Sequence, residues 1–500
     1  MPTRTLLDRP LTYRETQLLC LLALGLHVLP LLLADHFYLD DSWRSQLAGN
    51  AWISEGRPLT QWLHAALSFS ASAPNLFPLP LLLAVGVSAL ALARLAWHYF
   101  DTPTASALLV VLPLWYNPFF LQNLSYQYDG PAMALALAAC IWGITLPAHQ
   151  VRGVLAGAVL VAAASSFYQI SINVFAALCC IETLRQVLLG RTFLDTARQM
   201  LGRLSQLLGG CLLYCLTTLQ WMAPKRQAML SVDGQLPATL LQRLSLVLER
   251  VGLLVTPGNR WLVIGALLCA AAFLVIAGWR VVRGPGSLAA RLGLLLALFL
   301  PLPSVMLLVP GMTLLLAGFD DGARTLMGFG ALMLLVLMLA HRLLAGLHRH
   351  LAWLLAIPLL AMLSFAYAHG RVLVVQKELQ QAVTFSLAHD IASSPELYGL
   401  SRYYVLNNES TGQWLPAASG SFEVMPALRY VLNINFLLLP EMMPRLGLSR
   451  FGSHAPLDRQ QVLARSAAPQ VDAKFYAIHR VDDTAYVLMK PPRDPEGYQW

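Results

Sequence analysis

Along residues 16–367, apolar stretches of near-membrane length follow one another with only short polar interruptions. A helix that crosses a bilayer needs about 20 mostly apolar residues, within a range of roughly 17–25. Eleven stretches qualify or come close: 16–34, 78–97, 104–120, 130–147, 152–167, 169–189, 204–222, 261–279, 291–309, 324–340 and 351–367. The stretch 152–167 is the shortest, and 169–189 follows it almost at once. Leu314–Phe319 is too short to cross. Only 12% of the 500 residues are charged, about half the share in a globular domain. The fold class is therefore an all-α polytopic membrane protein of about eleven transmembrane helices. Leu18–Ala34 resembles a signal peptide, but further spans follow and no small-residue cleavage site stands out. We read it as an uncleaved first helix.

The formal charge of +8 invites a nucleic-acid reading. The cations, however, sit between the apolar stretches, which is how a membrane protein sets its orientation. With the N-terminus inside, Arg4, Arg9, Arg14, Arg152, Arg185, Arg191, Arg198 and Arg203 fall in cytoplasmic segments, followed by Arg280, Arg283, Arg291, Arg342 and Arg349. The short outer loops 118–129 and 167–169 hold no Lys or Arg. The longer outer loop 223–260 does, but long loops translocate largely regardless of charge. The expected organisation is a membrane domain over 1–367, with outer loops 35–77, 118–129, 223–260 and 310–323, and a C-terminal domain over 368–500 outside. In that domain 376–393 reads as an amphipathic helix. Arg402–Leu406, Lys474–His479 and Ala485–Lys490 read as short strands between turns, giving a small α/β unit. All seven Cys lie in apolar runs, so neither disulfides nor a zinc site is expected.

Chemistry concentrates in the outer loops. The first holds adjacent carboxylates, Asp40 and Asp41, followed by Arg44 and, beyond a Gly56 turn, Arg57. A carboxylate base near phosphate-binding cations is one reading; a solvated loop with a local Asp41–Arg44 ion pair is the other. The second runs from Asn117 to Pro131 and contains Tyr126, Tyr128 and Asp129. Rings and amides can grip a sugar, yet Tyr residues also mark membrane interfaces and Asp129 could simply cap a helix. The third holds Asp320, Asp321 and Arg324, a phosphate site or a cap with its ion-pair partner. Lys225 and Arg226 are further phosphate candidates. The chain has no phosphate-cradling glycine loop, HExxH, CxxC or nucleophile elbow. Mid-membrane carboxylates of the kind a proton-coupled transporter uses do not stand out either; Glu182, near an inner end, is the main intramembrane acid.

Together, Tyr38-Leu39-Asp40-Asp41-Ser42-Trp43-Arg44, Gly56-Arg57-Pro58, Asn117-Pro118 and Leu124-Ser125-Tyr126-Gln127-Tyr128-Asp129 resemble the serotype-converting O-antigen glucosyltransferases of the Gtr type. These fall within the class C (GT-C) membrane glycosyltransferases, which use polyprenyl-phosphate sugars. The resemblance is strongest over 36–131. It implies a multi-pass enzyme of the bacterial inner membrane, with its active site and C-terminal domain in the periplasm. The sugar donor would be polyprenyl-phosphate glucose, supplied by a donor-synthesising glycosyltransferase and a small flippase, and the acceptor an O-antigen glycan of lipopolysaccharide. Carried over, Asp40 is the catalytic base and Asp41 its neighbour in orienting substrate. Arg57, Arg324, Lys225 and Arg226 would bind the donor phosphate, and Arg44, Tyr126, Tyr128 and Asp129 the sugar or acceptor. A divalent cation is left open and no metal ligand set is assigned. A class C transferase for a pilin or lipid A acceptor is the nearest alternative, ahead of an O-antigen polymerase or a lipid-sugar transporter.

Overall fold

The computed structural model describes residues 9–223, 228–231, 233–407, 414–466 and 468–491. The membrane part comprises α1 (Tyr13–Ala34), α2 (Asp41–Leu47), α3 (Pro58–Ser68), α4 (Leu79–Tyr99), α5 (Ala105–Val111), α6 (Pro113–Tyr116), α7 (Phe120–Ser125), α8 (Asp129–Ile144) and α9 (Val151–Phe167). It continues through α10 (Ser171–Leu188), α11 (Phe193–Thr217), α12 (Leu236–Gly252), α13 (Arg260–Arg283), α14 (Leu288–Phe299), α15 (Pro301–Leu307) and α16 (Phe329–Leu347) to α17 (Ala356–Ser393).

Every expected apolar stretch is helical over most of its length, but the helices differ in reach. Among the described residues, seven are long and apolar enough to cross a membrane. Three more, Ala105–Tyr116, Asp129–Ile144 and Val151–Phe167, are apolar but shorter. The stretch 104–120, expected as one span, is only slightly interrupted at Pro113, where Leu112 keeps helical angles, and breaks at Asn117-Pro118. Proline lacks the N–H that continues a helix and clashes with the turn before it. Pro301 divides 288–307 between α14 and α15 for the same reason. Between Phe299 and Pro301 the backbone stays helical, so there the break is slight. The helix expected at 204–222 starts at Phe193 and takes in Arg198 and Arg203, expected in a loop.

The core forms where small residues let helices approach: α8 packs against α4, α9 and α10, and α11 lies along α9. At Gly202 and Gly210 a side chain would strike the backbone of α9 or of the turn before it. α1 packs between α4 and α17. The boundary expected at 367/368 falls inside α17, a single helix of 38 residues. The span 351–367 and the amphipathic helix 376–393 are therefore one element. Its inner part packs in the bundle, while Val383, Leu387 and Ile391 enter a second core beneath a sheet. That sheet has the order β2 (Phe451–Gly452), β1 (Arg402–Leu406), β5 (Thr484–Met489), β4 (Tyr476–Val481), β3 (Val471–Asp472). β4 and β5 form an antiparallel hairpin, and β1 runs parallel to β5. The hairpin turns through Asp482 at φ 54°, a left-handed position that Asp tolerates. All three expected strands are present.

The C-terminal part also reaches back to the loops around Tyr38 and Asp321. The short helix Ala427–Leu432 joins the main core through Leu428, Val431 and Leu432. The Leu432 carbonyl accepts the Tyr38 hydroxyl, and the Tyr430 hydroxyl donates to the carbonyl of Asp321. The loop after α1 and the segment around Asp321 are thus both tied to the C-terminal part.

Candidate active site

The chain leaves α1 through two left-handed residues, Asp35 (φ 42°) and Leu39 (φ 48°), and turns directly into α2. This places the two adjacent carboxylates in unlike surroundings. Asp41 is fully buried and accepts the backbone N–H groups of Tyr38 (3.0 Å), Gln127 (2.8 Å) and Tyr128 (3.2 Å). It ties the loop after α1 to the segment before α8. Burial pushes its pKa up to about 8, against the three N–H donors, with Asp129 adding like-charge repulsion. The expected Asp41–Arg44 ion pair does not form, because the backbone already claims both carboxylate oxygens. Asp40, in contrast, is exposed, and its carboxylate has no hydrogen-bond or ion-pair partner among the described residues. It lies close enough to Tyr126 to act on that side chain. Burial first, then Tyr38, Asp40 and Asp129 against the opposing Arg324, hold the Tyr126 hydroxyl well above the usual phenol range.

Asp129 does not cap α8. Tyr128 occupies the capping position, and the Asp129 carboxylate turns sideways to accept Trp52 Nε1 at 2.9 Å and Arg57 Nη1 at 3.3 Å, with Arg44 Nε 3.6 Å away. Glu55 completes a network of two acids and two guanidiniums, 3.2 Å from Arg57 and 3.9 Å from Arg44. Arg44 lies 4.2 Å over the Trp52 ring, which also stacks in parallel on His64 at 4.8 Å. His64 Nε2 reaches the Tyr128 carbonyl at 3.0 Å. Buried charge is tolerated only when paired in this way. Arg44, Tyr128 and Asp129, expected to touch sugar or acceptor, are therefore sealed within the support of the site.

Two of the four expected phosphate cations contact Tyr168, Arg57 through its guanidinium and Arg324 through its backbone carbonyl. Arg57 lies 4.9 Å over its ring and donates to Gln169 Oε1 at 3.3 Å. The Tyr168 hydroxyl points to the Arg324 carbonyl at 3.5 Å. The approach to Arg57 needs Gly56: at φ +73°, a Cβ there would come within 2.6 Å of the Tyr214 hydroxyl. Arg324 donates to the Tyr126 hydroxyl and to Asp320, both at 3.0 Å, and its side chain is 36% exposed. The expected cap, Asp321 with Arg324 as partner, is replaced by two pairs: Arg324 with Asp320, and Arg250 with Asp321 at 3.0 Å. Gln122 and Asn123 fix the Arg324 backbone through its N–H and carbonyl.

Lys225 and Arg226 lie outside the described residues. Among the described residues no group of three or more His, Cys, Asp or Glu could hold a metal ion. Trp52, Glu55, His64, Tyr168 and Gln169 were missed from sequence. A signal for the last two existed: Tyr168 alone separates apolar stretches 152–167 and 169–189, and Gln169 is the polar first residue of the second.

An exposed carboxylate beside a tyrosine–arginine pair, with a second arginine across Tyr168, is suited to proton abstraction next to an anionic leaving group. The comparisons with known proteins agree in class. A family model described as glucosyl transferase GtrII matches residues 29–335, which hold every residue just described. An uncharacterised 55.3 kDa protein in the gtrB 5′ region of Salmonella phage P22 is 32% identical over 153 residues. That match covers 30% of this chain and 31% of the relative, so it spans less than a third of either. No solved structure matches. With more than half of its length matched, the chain belongs to the glucosyl transferase GtrII family.

Proposed function

We propose that the chain transfers glucose from a polyprenyl-phosphate donor to an O-antigen glycan at the periplasmic face of the bacterial inner membrane. Eleven crossings, with the N-terminus inside and the C-terminal domain outside, fit the loop charges. Asp40 takes the proton of the acceptor hydroxyl. The freed oxygen attacks the anomeric carbon, and the lipid phosphate leaves with inversion. Arg57 and Arg324 receive the charge growing on that phosphate through charge-assisted bonds. A donor-synthesising enzyme and a flippase would deliver the glucosyl lipid to this face.

The observation that carries the reading is the division between the paired carboxylates. Asp41 is sealed and saturated by backbone donors, while Asp40 stands open beside Tyr126, which Arg324 holds. The test uses purified protein in vesicles with polyprenyl-phosphate glucose and an O-antigen acceptor. Asp40→Asn keeps size and shape but removes the proton acceptor. Turnover should fall by about 10²–10⁴-fold, the usual contribution of a positioned base, with donor affinity retained. Wild-type turnover in that variant, or transfer from UDP-glucose without added lipid, overturns the proposal.

A further inference from the structure

Gln122, on the short helix α7, is fully buried, and its amide is used at both ends. Nε2 donates to the Tyr38 hydroxyl oxygen at 3.1 Å, and Oε1 accepts the Arg324 backbone N–H at 2.6 Å. These partners lie 84 and 202 residues away along the chain. Each of them dictates the kind of bond it can make. The Tyr38 hydroxyl already gives its proton to the Leu432 carbonyl, so its oxygen is left to accept, and a backbone N–H only donates. A neutral amide answers both at once, because it carries a donor and an acceptor on one rigid group.

A further pair of contacts closes a circuit. The Tyr38 ring meets the Tyr126 ring edge-on, with centroids 4.8 Å apart, and the Tyr126 hydroxyl accepts Arg324 Nη1 at 3.0 Å. Tyr38, Gln122, Arg324 and Tyr126 are thus linked in a loop of four. Asp40 is carried by one member of it. The Asp41 N–H returns to the Tyr38 carbonyl at 3.1 Å, and the Asp41 carboxylate accepts the Tyr38 N–H at 3.0 Å. Leu39 and Asp40 therefore sit in a turn closed by Tyr38 and Asp41, and the place of Tyr38 sets the place of Asp40.

We propose that Gln122 is a positioning residue, which fixes the spacing between Asp40 and Arg324 by holding Tyr38 and the Arg324 backbone with one amide. The proposal rests on the transferase reading. It adds that the base and the phosphate-binding cation are registered to each other by a side chain that touches neither reacting group. A misplacement of about 1 Å in such a pair costs up to about 10²-fold in rate.

The test is transfer of glucose from polyprenyl-phosphate glucose to an O-antigen acceptor by purified full-length protein in vesicles. Gln122→Met keeps the length of the side chain but offers neither bond, and kcat of its folded fraction should fall about 10–100-fold. Tyr38→Phe keeps the ring against Tyr126 and removes the oxygen that Gln122 holds, so it should lose kcat in the same direction and stands in for Gln122→Met if that variant does not fold. Gln122→Glu, assayed at about pH 5 where a buried carboxyl stays neutral and again offers a donor and an acceptor, should recover most of the loss relative to wild type at that pH. The deciding measurement repeats these changes in an Asp40→Asn background. With no base left to place, the further loss should shrink to about 2-fold or less, since groups that act as one unit are not additive. A merely structural Gln122 predicts the same fold-loss in both backgrounds. Wild-type kcat in folded Gln122→Met or in Tyr38→Phe, equal losses in the two backgrounds, or no recovery in Gln122→Glu would each overturn the positioning role. Asp40→Asn alone reports on the transferase reading: wild-type turnover there removes the base itself, whereas a slow Asp40→Asn with additive losses removes only the role of Gln122.

Discussion

Two buried charge clusters occupy different levels of the helix bundle, and they are built on different principles. One surrounds Glu182, which is fully buried and accepts His98 Nε2 at 3.1 Å, Arg185 Nη2 at 2.9 Å and Gln186 Nε2 at 2.7 Å. Its members come from α4 and α10, two regular helices, at spacings of three and four residues that a helix brings together by itself. The other joins Arg44, Glu55, Arg57 and Asp129, drawn from a short helix, a turn, the start of α3 and the start of α8. Its neighbours are an unpaired Asp40 and a one-third-exposed Arg324. Glu182 has every oxygen answered and a helical scaffold around it, which is how a charge serves structure. The second cluster uses its buried groups to hold loops, and beside it the Asp40 carboxylate is exposed and Arg324 is one-third exposed.

The sharpest way to break this contrast is to neutralise one acid from each cluster. Asp40→Asn should lose about 10²–10⁴-fold in kcat and melt as the wild type does. Glu182→Gln leaves Arg185 buried without its counter-charge, a change that typically destabilises by about 3–5 kcal/mol. Its folded fraction should keep wild-type kcat. An inactive but stable Glu182→Gln enzyme would erase the distinction between the clusters.

The two arginines should separate next. Arg57 is 15% exposed and faces Glu55 and Asp129, so Arg57→Ala should damage both stability and donor use. Arg324 pairs with a 46%-exposed Asp320, and a pair of that kind contributes about 0–1 kcal/mol to folding. Arg324→Ala should therefore raise the donor KM or lower kcat about 10-fold or more, with melting nearly unchanged. Arg324→Lys should recover only part of this, because a point charge cannot reproduce a planar fork. Equal loss of stability in the two alanine variants would show that Arg324 is as structural as Arg57.

How much of this the sequence disclosed depended on the range of the interaction. Apolar stretches of fixed length exposed the helices, since that pattern is local, and alternating residues exposed the three strands. The interruptions at Pro113 and Pro301 did not show in apolar length, which marks 104–120 and 291–309 as unbroken spans. The joining of 351–367 to 376–393 was not legible either, because His369, Gly370 and Arg371 interrupt the apolar run as the end of a span would, before it resumes at Val372. Asp40, Arg57 and Arg324 stood out as charges in a chain poor in charge. What stayed hidden was their division of labour. Nothing local distinguishes Asp40 from Asp41, since the Gln127 and Tyr128 N–H groups that claim Asp41 lie 86 and 87 residues away. The place of Tyr168 between Arg57 and Arg324 depends on contacts more than 100 residues apart, as does the pairing of Arg57 with Gln169.

Asp41 supplies the finest test, since its role is to hold the loop that presents Asp40. Its pKa is about 8 in the folded chain against an ordinary 3.8, with burial the main cause. The folded state then binds more protons than the unfolded state between those two values, so stability must fall as pH rises through that window. The contribution is complete below about pH 4 and is lost as pH passes about 8. Asp41→Asn should remove this slope and leave a fixed cost. One amide oxygen can still accept from Tyr38 and Gln127, but the amide NH₂ then faces the Tyr128 N–H. An unanswered buried donor costs about 1–3 kcal/mol. Melting curves from pH 4 to 9 would show the wild type losing stability toward the alkaline end and the variant running flat and lower. Activity of the folded variant should fall far less than in Asp40→Asn, because the proton acceptor is still present and only its support is loosened. A wild type more stable at pH 8 than at pH 5, with the difference abolished in Asp41→Asn, would mean that the three backbone donors outweigh burial and that Asp41 is held as the anion.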